Sequence, residues 1–159
     1  MSFRSILGLV LLGFLGAGTV RSILGPTASG AATAEIFTGL VKGVAVGGYD
    51  PVAYFTESKA IKGKPEVSLE HQGVTWRFAT VANREAFAAN SAKYAPQYGG
   101  YCAYAVANGY TAKGDPVAWS IVGDKLYLNY NLATKATWEK DIPGFIAKAN
   151  ANWPGVLQK

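Results

Sequence analysis

Hydrophobic and polar residues alternate in two parts of the chain with the two-residue period of a β-strand. In the first part, residues 70–73 interrupt the alternation with a polar, Gly-containing turn. In the second part, Gly123 and Asp124 form a two-residue turn that is typical of tight hairpins. The pattern predicts two β-hairpins, formed by residues 67–69 with 74–78 and by residues 119–122 with 125–129.

Between and after these hairpins, apolar residues recur at helical spacing. Thr80 is a predicted N-cap, Ser91 is a candidate cap for a short turn, and Pro143-Gly144 is predicted to separate the last two helices. No internal repeat is evident. Strands and helices do not alternate as βαβ units, so the chain predicts a single α+β domain with a small antiparallel sheet made of hairpins and several short helices. The predicted helical segments are residues 81–90, 91–94, 101–107, 133–140 and 145–152.

The N-terminal residues 1–34 differ from the rest of the chain. Arg4 precedes an apolar run over residues 6–20, and no acidic residue occurs in the segment. A run of this length is short for a membrane span and is typical of a secretory signal peptide, with cleavage expected after Ala34. An uncleaved membrane anchor followed by a small-residue linker is the alternative. Both interpretations predict a periplasmic domain over residues 35–159.

Composition and charge narrow the function classes. The chain carries 15 basic and 10 acidic residues, and the basic residues are scattered along it. Nucleic-acid-binding domains concentrate positive charge on one face, so we expect no nucleic-acid partner. One Cys and one His are present. This count excludes an internal disulfide and a structural zinc site of four Cys or of two Cys and two His.

The chain contains a series of ordered motifs at residues 47–55 (GGYDPVAYF), 76–78 (WRF), 94–103 (YAPQYGGYCA), 126–129 (LYLN) and 153–154 (WP). Together these motifs closely resemble the YHS-domain family, in its exported bacterial form. The similarity extends over residues 46–154, nearly all of the predicted domain. YHS domains occur as standalone exported proteins and as small parts of copper-transporting ATPases and oxygenases, so the resemblance implies a metal-binding role. The lack of a Cys pair departs from a metal-rich pattern.

Cys102 is the candidate metal ligand, because it lies inside the longest of these motifs near a predicted helix start. A thiolate favours copper(I) or zinc over magnesium or calcium. His71 is the one imidazole that can join it, although its position predicts an exposed hairpin turn. The alternative for Cys102 is a buried thiol that acts as a small hydrophobe. Asp50 and Asp115 each precede a proline, which favours a turn role over catalysis.

A cluster of tyrosines surrounds Cys102 in the sequence. They predict either a core layer whose hydroxyls are hydrogen-bonded or an aromatic pocket or partner surface. A thiol-based or hydrolytic enzyme is disfavoured, because a Cys–His dyad needs an orienting acid that the sequence does not indicate. We therefore expect a non-catalytic periplasmic binding module, with an accessory subunit of an inner-membrane complex as the alternative. The tyrosines are Tyr94, Tyr98, Tyr101, Tyr104 and Tyr110.

Overall fold

The structure is a computed structural model that describes residues 32–159. The predicted signal or anchor therefore lies outside the described residues, except for its last three. Within the described range, no helix combines the length and the apolar character that a membrane span requires. The elements in chain order are α1 (Ala53–Thr56), β1 (Lys64–His71), β2 (Val74–Phe78), α2 (Val81–Ala89), α3 (Ser91–Tyr94), α4 (Ala103–Ala107), β3 (Asp115–Val122), β4 (Lys125–Asn129), α5 (Leu132–Trp138) and α6 (Ile142–Asn152).

The α+β prediction is confirmed, with each hairpin forming its own two-stranded antiparallel sheet. The first strand of each hairpin is longer than predicted. β1 ends at His71, which pairs with Val74, so His71 lies in a strand and the prediction of a turn position was wrong. The turn consists of Gln72 and Gly73, both at positive φ, as two-residue hairpin turns of this type require.

Helix boundaries were predicted best where a side chain caps the helix. The Thr80 side chain accepts a hydrogen bond from the Asn83 amide, which confirms it as the N-cap of α2. For α3 the cap is Asn90, so the assignment to Ser91 was wrong. The predicted break at Pro143 was also wrong. Pro143 lies in the first turn of α6, where a missing amide hydrogen costs nothing.

The structure contains an internal repeat, which corrects the expectation from sequence. Each copy consists of a four-residue 3₁₀ segment, a short helix, a hairpin and a capped helix. We call residues 45–89 the first repeat and residues 97–138 the second repeat. The first runs through Ala45–Gly48, α1, β1, β2 and α2, and the second through Gln97–Gly100, α4, β3, β4 and α5.

The backbone of the two 3₁₀ segments is nearly the same. Val46 has φ 52° and ψ 27°, and Tyr98 has φ 55° and ψ 37°. In each repeat the following tyrosine closes the segment, with the Tyr49 amide donating to Val46 O and the Tyr101 amide to Tyr98 O, both at 3.0 Å. Left-handed angles at a Val and a Tyr are uncommon, so their occurrence at matching positions supports a true repeat.

The hairpins and their following helices match as well. β1 and β3 each have eight residues, and each has a register irregularity near its first residue. The N-cap of α5 is Asn131, whose side chain accepts from the Thr134 amide as Thr80 accepts from Asn83. Thr80 and Asn131 are separated by 51 positions, and the first residues of β1 and β3 (64 and 115) have the same separation.

Large aromatic side chains at equivalent positions anchor the core of each repeat. Phe87 of α2 and Trp138 of α5 are both 0% exposed. Phe87 packs on Trp76 of β2, with ring centroids 4.7 Å apart, and Trp138 packs on Tyr127 of β4 at 5.5 Å. Helix α6 covers the second repeat and contributes Ala149 to its core. This packing fixes α5 against β4, which positions the residues around Cys102.

Candidate functional site

Cys102 lies between the second 3₁₀ segment and α4, and it is held tightly by its backbone. Its amide donates to Ala112 O at 2.9 Å, and it forms a single bridge pair with Leu128 of β4. The residue is 1% exposed and its thiol is free. The structure therefore places the candidate thiol inside the domain and not on its surface.

Burial raises the pKa of the Cys102 thiol above its usual value and is the largest effect on it. The nearby backbone amides of Ala105 and Tyr104, at the start of α4, and of Tyr130, after β4, act in the opposite direction. The site consequently offers donors for a negative charge on sulfur but keeps the thiol protonated at neutral pH.

Asn129, at the end of β4, is the hydrogen-bond partner of the thiol. Its Oδ1 atom accepts from Cys102 Sγ at 3.7 Å and from the Tyr104 amide at 3.1 Å. The residue is 0% exposed, and its Nδ2 atom has no hydrogen-bond partner among residues 32–159. A buried donor without an acceptor is costly, so this amide leaves unused hydrogen-bonding capacity beside the sulfur.

A cavity of about 230 Å³ opens beside Cys102. Tyr110 and Tyr130 line it and are 51% and 43% exposed, and Leu132, two residues after Tyr130, is 63% exposed. The cavity therefore has both the buried Cys102 and exposed aromatic side chains in its lining. The lining residues are Cys102, Tyr104, Ala105, Tyr110, Ala112, Tyr130 and Thr134.

The tyrosine cluster divides between the two predicted roles. Tyr98 and Tyr101 are core residues, with hydroxyls that donate to Asn150 Oδ1 at 2.8 Å and to Ala34 O at 2.7 Å, and burial raises both pKa values. The Tyr94 ring packs edge-on against Phe55, with centroids 5.4 Å apart. Tyr104 and Tyr110 line the cavity, as described above. The core interpretation therefore fits Tyr98 and Tyr101, and a binding role for the tyrosines that line the cavity stays a prediction.

The residues present do not form an all-protein copper or zinc site. His71 lies in the first hairpin, and its ring packs edge-on against Phe87 with centroids 5.7 Å apart. The Cys102 thiol donates to Asn129 Oδ1, which is not a ligand that copper(I) or zinc prefers. Among residues 32–159, no group of three or more His, Cys, Asp and Glu side chains is placed to hold a metal ion. Within these residues Cys102 is therefore a single soft side chain without further protein ligands beside it.

The two Asp-Pro aspartates have the structural role that the sequence favoured. Asp115 Oδ1 accepts from the Val117 amide at 3.0 Å, which is a local turn contact. Asp50 is 0% exposed and accepts from the Val52 amide at 2.9 Å, but it also binds residues beyond its own turn. Sequence reasoning missed Asn129 and Thr134 as site residues. Asn129 closes the motif at residues 126–129, and a polar residue at the end of an apolar strand was its signal.

The pH dependence of stability should reflect the raised pKa of Cys102. An acid with a raised pKa in the folded state favours folding at low pH, and this contribution is lost as pH rises above about 8.5, where the unfolded thiol ionises. Between pH 7 and pH 10 we expect urea denaturation to show a larger loss of stability for the wild type than for Cys102→Ala. Equal losses in the two proteins would show that the thiol is not desolvated.

Comparison of the chain with protein-family models, with curated proteins and with solved structures found no match.

Proposed function

We propose that residues 35–159 form an exported, non-catalytic binding module of the YHS type, with its ligand site in the cavity beside Cys102. The observation that carries the proposal is a buried thiol, hydrogen-bonded to the buried Asn129 side chain, beside a cavity lined by the exposed Tyr110 and Tyr130. Ligand sites combine concave apolar surfaces with a few converging polar groups, and this cavity has both.

The surroundings of the thiol favour binding over catalysis. Nucleophilic cysteines are activated by a lowered pKa or by an adjacent base. Burial raises the pKa of Cys102, and the side chain nearest to its sulfur is the amide of Asn129, which cannot take up a proton. A thiol in this state is suited to being a ligand or a packed residue and is a weak nucleophile.

We propose that the ligand is a copper(I) or zinc ion that a second molecule helps to hold. Cys102 supplies the thiolate, and the remaining ligands come from outside the chain, through the opening at Tyr110 and Tyr130. The exposed side chains at this opening, with Leu132 beside them, offer a surface for such a partner. In an anchored protein, that partner would be a subunit of an inner-membrane complex.

Metal titration of purified residues 35–159 tests this proposal. With copper(I) or zinc and a small thiol as the external ligand, the wild type should bind one metal ion. Cys102→Ala should lose binding by at least about tenfold, because the thiolate is the soft ligand. His71→Ala is the matched control and should bind like the wild type. Equal binding by the wild type and Cys102→Ala would refute the metal role.

A further inference from the structure

The internal repeat places Cys102 at the position that Asp50 occupies in the first repeat. Both residues directly follow a Gly-Gly-Tyr segment with left-handed glycines. Both backbone amides donate to the segment before the next hairpin, Asp50 to Ile61 O at 2.8 Å and Cys102 to Ala112 O at 2.9 Å. The first repeat therefore shows which kind of side chain this position can hold.

In the first repeat, the position holds a carboxylate with four hydrogen-bond donors. Asp50 Oδ1 accepts from the amides of Val52 and Ala53, at 2.9 and 3.3 Å. Asp50 Oδ2 accepts from the Ala79 amide at 2.8 Å and from Asn83 Nδ2 at 2.7 Å. Four such donors compensate the desolvation of a fully buried carboxylate, so this part of the fold is a binding site for two anionic oxygens.

The second repeat has equivalent backbone amides near a single sulfur atom. The amides of Tyr104, Ala105 and Tyr130 are the counterparts of those of Val52, Ala53 and Ala79. The Tyr104 amide donates to Asn129 Oδ1 at 3.1 Å, and a neutral thiol is a weak acceptor for the other two.

Two features of the second repeat have no counterpart in the first. Thr134, at the position of Asn83, is shorter and lines the cavity. The buried Asn129, at the position of Phe78, adds a donor without a partner, on an amide whose Oδ1 lies 3.7 Å from Sγ. Space and an unused donor therefore occur together beside the sulfur, where the first repeat has carboxylate oxygens.

We propose that Cys102 is a site of oxidative modification, and that its sulfinate occupies the donor set of the second repeat as the Asp50 carboxylate occupies that of the first. A sulfinate carries two oxygens and one negative charge on a side chain of nearly the same length as aspartate. Its oxygens can accept from the amides of Ala105 and Tyr130, from Asn129 Nδ2 and from the Thr134 hydroxyl.

The oxidant is a peroxide, which is small enough to enter the cavity. The sulfur, as thiolate, attacks one peroxide oxygen, so that an S–O bond forms, the O–O bond breaks, and the departing hydroxide takes up a proton to give water. The sulfenate then reacts with a second peroxide in the same way and becomes the sulfinate, with a second water. Sulfur is oxidised and peroxide is reduced at each step. The raised pKa keeps the thiolate scarce, so the first step is slow.

Mass spectrometry of peroxide-treated protein tests the modification itself. Folded residues 35–159 should gain the mass of two oxygen atoms, which peptide mapping should locate at Cys102, and oxidation should then stop. Cys102→Ala should gain no oxygen in the corresponding peptide. Oxidation of Cys102 only after unfolding in urea, or direct progress to the three-oxygen sulfonate, would overturn the proposal. The readout requires no metal, so it is independent of the proposed function.

A pair of isosteric variants tests the donor set without any oxidant. Cys102→Asp imitates the sulfinate, and Cys102→Asn has the same shape without the charge. If the donors suit an anion, Cys102→Asp should unfold at a higher urea midpoint than Cys102→Asn at pH 7, and the oxidised wild type should unfold at or above the midpoint of the reduced protein. A lower midpoint for Cys102→Asp than for Cys102→Asn would contradict the assignment.

Discussion

Asp50→Ala is expected to lower the free energy of unfolding by about 3 kcal/mol, because it leaves buried donors without an acceptor. The amides of Val52 and Ala53 are on residues that are 1% and 0% exposed, so water cannot replace the carboxylate there. The Ala79 amide and the Asn83 side chain are half-buried and can be solvated in part. Equilibrium urea denaturation of residues 35–159 measures this loss of unfolding free energy.

Two control variants separate the buried donor set from ordinary turn chemistry. Asp115→Ala removes another Asp-Pro carboxylate, which accepts a single local hydrogen bond from the Val117 amide, and should cost about 1 kcal/mol or less. Asp50→Asn keeps the shape and one acceptor oxygen and should fall between the wild type and Asp50→Ala. Similar losses for Asp50→Ala and Asp115→Ala would show that the four-donor arrangement does not stabilise the first repeat.

The second large effect is expected for Gly99→Ala, which should lower the free energy of unfolding by about 3 kcal/mol. Gly99 has φ +60°, where an alanine is strained by about 1 kcal/mol or more. An added Cβ would also overlap the Glu35 carbonyl oxygen, which is backbone and cannot rotate away. Residues 35–37 would have to move, and the 2.9 Å hydrogen bond from the Phe37 amide to Gly99 O would be lost.

Gly47→Ala is the matched control, because Gly47 is the counterpart of Gly99 in the first repeat. It has nearly the same φ, +58°, but its added Cβ would meet the Leu40 side chain at 3.0 Å. That side chain can adjust, so we expect a loss of about 1 to 2 kcal/mol from backbone strain. Thermal unfolding of both variants checks the difference. Equal unfolding temperatures for Gly99→Ala and Gly47→Ala would mean that residues 35–37 do not pack on Gly99.

The two repeats share a backbone framework but differ in the chemistry of the turn before the first helix of each. Backbone geometry, hairpin register and helix caps are shared, whereas the side chains placed on that framework differ. In the first repeat, the Asp50 carboxylate is buried and the Asn83 side chain fills the space beside it. The second repeat has a thiol and a cavity at the same place. At the candidate site, a buried thiol therefore stands where the first repeat has a buried carboxylate.

Local interactions made much of the secondary structure predictable. Both hairpins follow from alternating faces and from turn residues that tolerate positive φ, and the start of α2 follows from the Thr80 hydroxyl. The errors have local causes too. Proline is as compatible with a first helical turn as with a break, so Pro143 did not decide between them.

The sequence by itself determined the α+β class, the two hairpins and the presence of a single thiol, at Cys102, because periodicity, capping and residue counts are local or compositional properties. The tertiary structure decided what surrounds that thiol. Packing between distant segments brings three residues to the thiol: Asn129 at the end of β4, Tyr130 directly after it, and Thr134 of α5. It also revealed the repeat, since equivalent backbones carry unlike side chains, such as Phe87 and Trp138, which fill cores of different shape.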